Sequence, residues 1–326
     1  MNITIARLRS FVKYNGPLET VLDSFFENYV RFQRDNPQHN YRTYNVSFDG
    51  QQPKRIPENI EWADVIVIPS DSEFRYHGEL QMNPKDLAKS QSHIERIVPF
   101  FKGKDVIMWR SDRGDTEELY RSFLPDIKSF QTIDEVDFSG NIHGMKYHFI
   151  QTLKNPLSAI IGNEKTTDFA YWGRMKHGND REKTIRKIYR SKLSTIMIGG
   201  FPSGIERQSK WIKDWKILYP MLEKARCTLC FNWIDQTATT SRYPEALSIG
   251  MIPFVWRDYD SNNTYNIEDY QRVETHDEFI RKALALRDDD TFERLKQRYR
   301  NNYSKVLLSE DEYYNEFSSR MSLTLG

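Results

Sequence analysis

The chain has 326 residues, 38% of them hydrophobic and 29% charged, a size that suits two domains with a core each and a balance that excludes disorder and coiled coil. Its formal net charge of +1 gives no whole-molecule field for a polyanion, so any nucleic acid must be held by a local patch. Two cysteines, Cys227 and Cys230, exclude a disulfide scaffold, and no stretch approaches the roughly 20 apolar residues of a membrane span, so a soluble, intracellular protein is expected.

In chain order, Asn2–Leu8 reads as a strand, followed by a loop holding Gly16-Pro17 and an apolar-periodic helix over about Thr20–Arg34. Tyr44–Phe48 reads as a second strand, and Ala63–Pro69 is a continuous apolar run of the kind buried on both faces of a parallel sheet. A helix over about Asn83–Phe101 leads into a strand at Asp105–Trp109, and short strands are expected around Gln131–Phe138 and Lys146–Leu153. The alternation then restarts: strand Asp168–Trp172, a basic loop, helix Arg181–Tyr189, strand Thr195–Gly200, helix Lys210–Lys224, strand Cys227–Trp233, helix Tyr243–Ile249 and strand Ile252–Trp256. Past Asp277 the chain is helical, and its last segment is placed back on the first domain. The expectation is an α/β protein of two doubly wound domains facing across a cleft, with residues 1–160 as the first domain, 161–310 as the second and 311–326 as the returning helix.

Ligands of doubly wound sheets sit at the carboxyl ends of the strands, so the loops leaving those ends are where chemistry is sought. One such loop follows Trp172. Gly173 and Gly178 flank a run containing Arg174 and Lys176, which enters a helix at Arg181; eight Lys or Arg stand against two acids from Arg174 to Lys192. Backbone N–H groups, the positive end of a helix dipole and fixed cations make a phosphate cradle. The competing account is a solvated helix face with pairs such as Glu182 to Arg186. A second loop carries Arg242 and Glu245 at i and i+3 of a helix start, suited to a diphosphate and to two ribose hydroxyls respectively, or else to a simple capping salt bridge. A third site is divided: Glu19 follows the first strand in the Gly-Pro loop, Asp112 follows the strand ending at Trp109, and either can serve as a base for an acceptor alcohol. Each is also an ordinary helix cap by position.

Other features are discounted. Cys227 and Cys230 form a C-x-x-C inside a strand, where the thiols face opposite ways, and no second pair exists. Asp258-Tyr259-Asp260 is read as loop surface, His143 and His148 as structural, and Trp211 and Trp215 as packing.

These residues together resemble the bacteriophage DNA glycosyltransferases, such as the β-glucosyltransferases of T-even phages. Pro17-Leu18-Glu19-Thr20 is similar to the family's Pro, Ser, Ser, Glu, Thr loop; Val67–Ser72 with His77-Gly78 is similar to its strand and following glycine loop; and Asp112 falls at its catalytic aspartate. Tyr171–Lys183 resembles its Tyr, Gly, Gly, Ser, Phe, Arg, Ser, Gly, Gln, Arg, Glu segment with one inserted residue, Arg181 taking the second arginine and Lys176 replacing the first. Arg242 and Glu245 fall on its Arg, Val, Trp, Glu. The stretch Phe201–Lys210 departs from the family.

The resemblance implies a GT-B fold and a monomer acting in the cytoplasm of an infected bacterium. It implies transfer of a sugar, glucose or a pentose such as arabinose, from a UDP-sugar to 5-hydroxymethylcytosine or another hydroxymethylated pyrimidine in duplex DNA, with inversion. It gives Asp112 and Glu19 the catalytic roles, Gly173, Arg174, Lys176, Arg181, Asp235, Arg242 and Glu245 the nucleotide-sugar contacts, and Arg75, His77 and Arg113 the DNA contacts. No metal is required in this scheme, with Mg²⁺ or Mn²⁺ assisting UDP release, and no membrane is involved. The rival readings are a GT-B transferase acting on protein or surface glycan and a non-catalytic DNA-binding relative.

Overall fold

The computed structural model describes residues 1–7, 17–45, 56–69, 98–110, 127–134, 164–175, 180–201, 203–208, 212, 215–232, 240, 242–260, 263, 265–306 and 309–325. The chain divides into two compact units, one made of Met1–Tyr14, Leu18–Tyr147 and Glu310–Gly326, the other of Asn15–Pro17 and His148–Ser309. The domain boundary expected near residue 160 lies outside the described residues.

The first unit is a five-stranded parallel sheet in the order β2-β1-β3-β4-β5, with β1 at Asn2–Arg7, β2 at Asn40–Asn45, β3 at Val65–Ile68, β4 at Asp105–Arg110 and β5 at Ser129–Asp134. Its central strand β3 is four consecutive buried residues, Val65-Ile66-Val67-Ile68, as a strand covered on both faces requires. Helix α1, Pro17–Asp35, connects β1 to β2, a short helix α2 at Glu58–Glu61 precedes β3, and a 3₁₀ turn at Val98–Phe101 precedes β4. The last helix of the chain, Glu310–Leu325, packs on α1: Phe317 meets Phe25 at 5.7 Å between ring centroids and Phe32 at 6.3 Å, and the Tyr314 hydroxyl donates to Asp35 Oδ2 at 2.7 Å.

The second unit is also a five-stranded parallel sheet, ordered β10-β9-β8-β6-β7, with β6 at Thr167–Arg174, β7 at Thr195–Gly200, β8 at Ala225–Cys230, β9 at Ile252–Trp256 and β10 at Arg272–Val273. Helices α3 (Asp180–Tyr189), α4 (Trp215–Leu222) and α5 (Arg242–Ser248) connect these strands, and α6 (His276–Ala285) and α7 (Asp289–Ser304) follow them, which makes the helix ending the chain α8. Two-residue alternation in β6 sends Phe169 and Tyr171 into one buried layer and Ala170 and Trp172 into the other. The amino end of β6 is pinned by Asp168, whose carboxylate takes Arg287 Nε and Nη2, each at 2.9 Å, and the Ser194 hydroxyl at 2.9 Å. Burial opposes ionisation of Asp168, but the Arg287 guanidinium and the Ser194 hydrogen bonds hold its carboxyl below the usual range.

Several boundaries differ from the expectations, among them β5 at Ser129–Asp134 rather than Gln131–Phe138 and the helix at Trp215–Leu222 rather than Lys210–Lys224. β2 begins at Asn40 because its register on β1, Asn2↔Asn40 to Arg7↔Asn45, engages the polar residues before the expected start at Tyr44. β8 runs over Ala225–Cys230 rather than to Trp233, since pairing begins at Thr167↔Ala225. β6 extends two residues further than expected, so Gly173 and Arg174 belong to a strand and not to a loop. Glu19 lies inside the first turn of α1 rather than in the loop before it. The expected helix from Asn83 and the strand at Lys146–Leu153 fall outside the described residues, except that the helix's last residues form the 3₁₀ turn. Among the described residues no helix is long and apolar enough to cross a membrane.

Candidate functional site

In the second unit the chain goes from β6 to β7 on one side and then crosses to β8 on the other, so the strand order reverses between β6 and β8. Crevices form at the carboxyl ends of strands at such a reversal. The ladders show the strands parting there: β6 stays paired with β7 as far as Arg174↔Gly200, while its pairing with β8 runs over Thr167↔Ala225 and Phe169↔Cys227.

Two glycines face each other at the end of β6 and β7, Gly173 opposite Gly199. Both have positive φ, +113° and +133°, where side chains are strained. A Cβ on Gly199 would lie 2.1 Å from the Gly173 carbonyl oxygen, so the backbones meet at a distance no other residue permits. A Cβ on Gly173 would lie 2.6 Å from Arg242 Nη2. Gly173 thus leaves the space that lets the Arg242 guanidinium drop onto the strand end, where Nη2 donates to the Trp172 carbonyl at 2.5 Å. The same guanidinium lies over the Tyr171 and Trp172 rings, 4.8 Å and 5.1 Å from their centroids.

Glu245, one turn along α5 from Arg242, is 4% exposed, and its Oε2 accepts from Trp172 Nε1 at 3.3 Å. Arg242 and Glu245 therefore meet at one residue, the first at its carbonyl and the second at its indole. The start of α5 is held by Tyr259, whose hydroxyl donates to the Thr240 carbonyl at 2.9 Å and accepts from the Thr240 amide at 3.0 Å. Asp258 is exposed in a turn, as expected of loop surface, but Tyr259 and Asp260 are buried, which corrects that reading for these two: Asp260 Oδ2 accepts from the Tyr265 amide, and Arg272 Nη1 donates to the Tyr259 carbonyl.

Arg181, in the first turn of α3, donates from Nη2 to the Asn232 carbonyl just past β8, and its guanidinium lies 5.4 Å from the Phe231 ring centroid. Phe231 and Tyr171 pack edge to face at 6.3 Å, so the two arginines are joined through one pair of rings. Arg181 Nε, Arg242 Nε and Asn232 Oδ1 are buried atoms without a hydrogen-bond partner. Buried cationic N–H groups left unpaired are costly, and an anion seated against them would remove that cost. Further along α3, Glu182 and Arg186 do form the i,i+4 pair of a structural face, at 2.7 Å. Asp180 forms an ion pair with Arg257 at 3.6 Å, and Arg257 has a left-handed φ of +46°.

Of the expected site residues, Gly173, Arg181, Arg242 and Glu245 thus converge at the reversal between β6 and β8. Arg174 ends β6 and Glu19 lies in α1, each without a described side chain, while Lys176, Asp235, Asp112, Arg75, His77 and Arg113 lie outside the described residues. No signal in the sequence marks the contacts of Trp172, which stands in an apolar run, or of Tyr259, which stands between two aspartates. Cys227 and Cys230 are free and fully buried, and burial pushes both thiols well up. Among the described residues no three His, Cys, Asp or Glu side chains gather to hold a metal ion.

This architecture, two parallel α/β units with the final helix returned to the first, is the GT-B fold of glycosyltransferases. The chain resembles, over nearly its entire length, the DNA-modifying β-glucosyltransferase of phage T4. The structure of that DNA-modifying enzyme with and without uridine diphosphoglucose matches with a TM-score of 0.63 at 13% identity, covering 99% of this chain and 100% of that one. A T4 variant with an aspartate replaced by alanine, in complex with UDP-glucose, matches at 0.63 and 13% over 98% and 99% of the two chains. The T4 enzyme with UDP and Mn²⁺ matches at 0.62 and 13% over the same shares. No family model matches the sequence, and no curated protein sequence matches it. At this identity the likeness establishes the fold.

Proposed function

We propose that the chain is a UDP-sugar-dependent glycosyltransferase of a bacteriophage, transferring glucose or a pentose to the hydroxyl of 5-hydroxymethylcytosine, or of another hydroxymethylated pyrimidine, in duplex DNA. The observation that carries this reading is the meeting of Arg242 and Glu245 at Trp172 over the side-chain-free Gly173, with Arg181 joined to them through Phe231 and Tyr171. Guanidiniums present N–H forks to phosphate oxygens, and a carboxylate accepts from a vicinal diol, so this set matches a nucleoside diphosphate.

In this reading the diphosphate is held by Arg181 and Arg242, with Arg174 and Lys176 as further cations, and the ribose by Glu245, with Asp235 beside the nucleotide. Lysine at 176 keeps the charge of the family's arginine but not its bidentate fork, so that contact is less directional. The hydroxymethyl oxygen attacks the anomeric carbon as the bond to the UDP oxygen breaks; the departing charge falls on the arginines, and the hydroxyl proton passes to Asp112 or Glu19. A single displacement inverts the anomeric centre. The target base is flipped from the duplex at a cost of a few kcal/mol, offset by backbone contacts from Arg75, His77 and Arg113. The described residues offer no cluster of ligands for Mg²⁺ or Mn²⁺; such an ion would supply positive charge that helps UDP leave. The protein acts as a monomer in the host cytoplasm.

The test is direct. The protein is incubated with UDP-glucose or UDP-arabinose and duplexes containing 5-hydroxymethylcytosine, 5-hydroxymethyluracil or neither, and the digested nucleosides are weighed. A nucleoside heavier by one sugar is expected only from a hydroxymethylated duplex, and Asp112→Asn or Glu19→Gln lowers its yield by orders of magnitude with the fold retained. Unchanged base masses with both donors would overturn the proposal.

A further inference from the structure

Trp172 makes two contacts of different kinds. Its main-chain carbonyl receives Arg242, a bond any residue at this position would offer, while its indole N–H holds Glu245 Oε2, a bond only this side chain makes. The indole is 5% exposed and packed among Ile196, Ile198, Leu218, Leu222 and Ile249, so packing fixes its direction and thereby the orientation of the carboxylate. Removing such a donor from a buried carboxylate loosens the orientation that this contact imposes. The motif that Tyr171–Lys183 resembles has glycine after its tyrosine, which has no side chain to perform this task.

Resting on the donor-site reading above, we infer that Trp172 is a positioning residue that presets the Glu245 carboxylate for the two ribose hydroxyls of the donor, and so sets the preference for ribonucleotide donors. Its role is separable from that of Arg242, because substitution of the indole leaves the main-chain carbonyl in place.

Calorimetric titration of UDP and of its 2′,3′-dideoxy analogue into the parent, Trp172→Phe and Glu245→Gln tests this. The parent binds UDP more tightly than the dideoxy analogue, and in Trp172→Phe that ratio shrinks by about tenfold, the scale of a hydrogen bond to a charged group, while affinity for the analogue holds. A merely structural role would weaken both ligands alike. A ratio kept in Trp172→Phe but lost in Glu245→Gln overturns the role of Trp172 and leaves the donor site standing; equal binding of both ligands by the parent overturns the ribose reading itself. In case Trp172→Phe does not fold, the indole N–H resonances of the parent chain give a second measure. One and the same indole resonance shifts in Glu245→Gln and on addition of UDP if the inference holds, and the absence of any resonance common to both changes overturns it.

Discussion

The site depends on glycines whose neighbours differ in what they can yield. At Gly173 the atom that a methyl group would meet, at 2.6 Å, is the far end of the Arg242 side chain, which can swing away. At Gly199 it is the Gly173 carbonyl oxygen at 2.1 Å, a backbone atom in a paired strand. Both substitutions also place a side chain at positive φ, worth about 1–3 kcal/mol of strain. Gly199→Ala is therefore expected to be the more destabilising in a denaturant melt. Gly173→Ala is expected to retain more stability while losing UDP affinity by about 1.5–3 kcal/mol, since it dislodges a charged donor. Equal melts, or a Gly173→Ala protein with parental UDP affinity, would show that Arg242 is not seated by this glycine. The places of Gly173 at a strand end and of Arg181, Arg242 and Glu245 at helix starts were legible in the alternation of elements, while their roles toward a donor belong to the proposal. The indole contact of Trp172 was not legible, because an aromatic in an apolar run looks the same whether or not its polar tip is employed, and Tyr259 was not, because a tyrosine between two aspartates reads as surface.

Among elements, the clasp of α1 and α8 has a readable pH dependence. The Tyr314 hydroxyl and then Arg34 hold the Asp35 carboxyl below the usual range, and burial first, then the hydrogen bond to Asp35, raises the Tyr314 phenol. A depressed acid contributes stability above its unfolded pKa of about 4 and loses it as pH falls through the lower folded value; a raised phenol contributes below about 10 and loses it as pH rises through the higher one. Amide protection in α8 is thus expected to fall on either side of this window, with the acid limb weakened in Tyr314→Phe. Hydrogen exchange with identical acid limbs in both proteins would dissociate the pair from the clasp. The strands Thr195–Gly200 and Ile252–Trp256 were legible to the residue because each is an apolar run bounded by glycine, proline or charge. The ends of β2 and β8 were not: Asn40, Tyr41 and Arg42 join their sheet through register on a neighbour, which carries no local signal, and Ala225-Arg226 begins β8 with an arginine whose guanidinium finds Asp289 at 2.7 Å. Helix α4 was legible in spite of Pro220, because Leu218, Tyr219 and Leu222 are buried at helical spacing.

For the whole molecule, the succession of strands and helices sufficed to give two α/β units, and the last helix, expected back on the first of them, packs there through Phe317 on Phe25 and Phe32. Two units with separate cores also make a thermodynamic prediction. A ligand that binds only the native form stabilises it by RT ln(1 + [L]/Kd), about 2.7 kcal/mol at a hundred times Kd, and acts on the cooperative unit that contains its site. Gly173, Arg181, Arg242 and Glu245 all belong to the unit of His148–Ser309. UDP is therefore expected to raise the melting of that unit selectively, which tryptophan and tyrosine probes in each unit can follow during a calorimetric scan. Arg181→Ala and Arg242→Ala should each diminish the shift, as loss of a charge-assisted hydrogen bond to the diphosphate requires. A UDP-induced shift of undiminished size in both variants would place the diphosphate elsewhere, and a shift confined to the unit of Leu18–Tyr147 would move the donor to the other sheet.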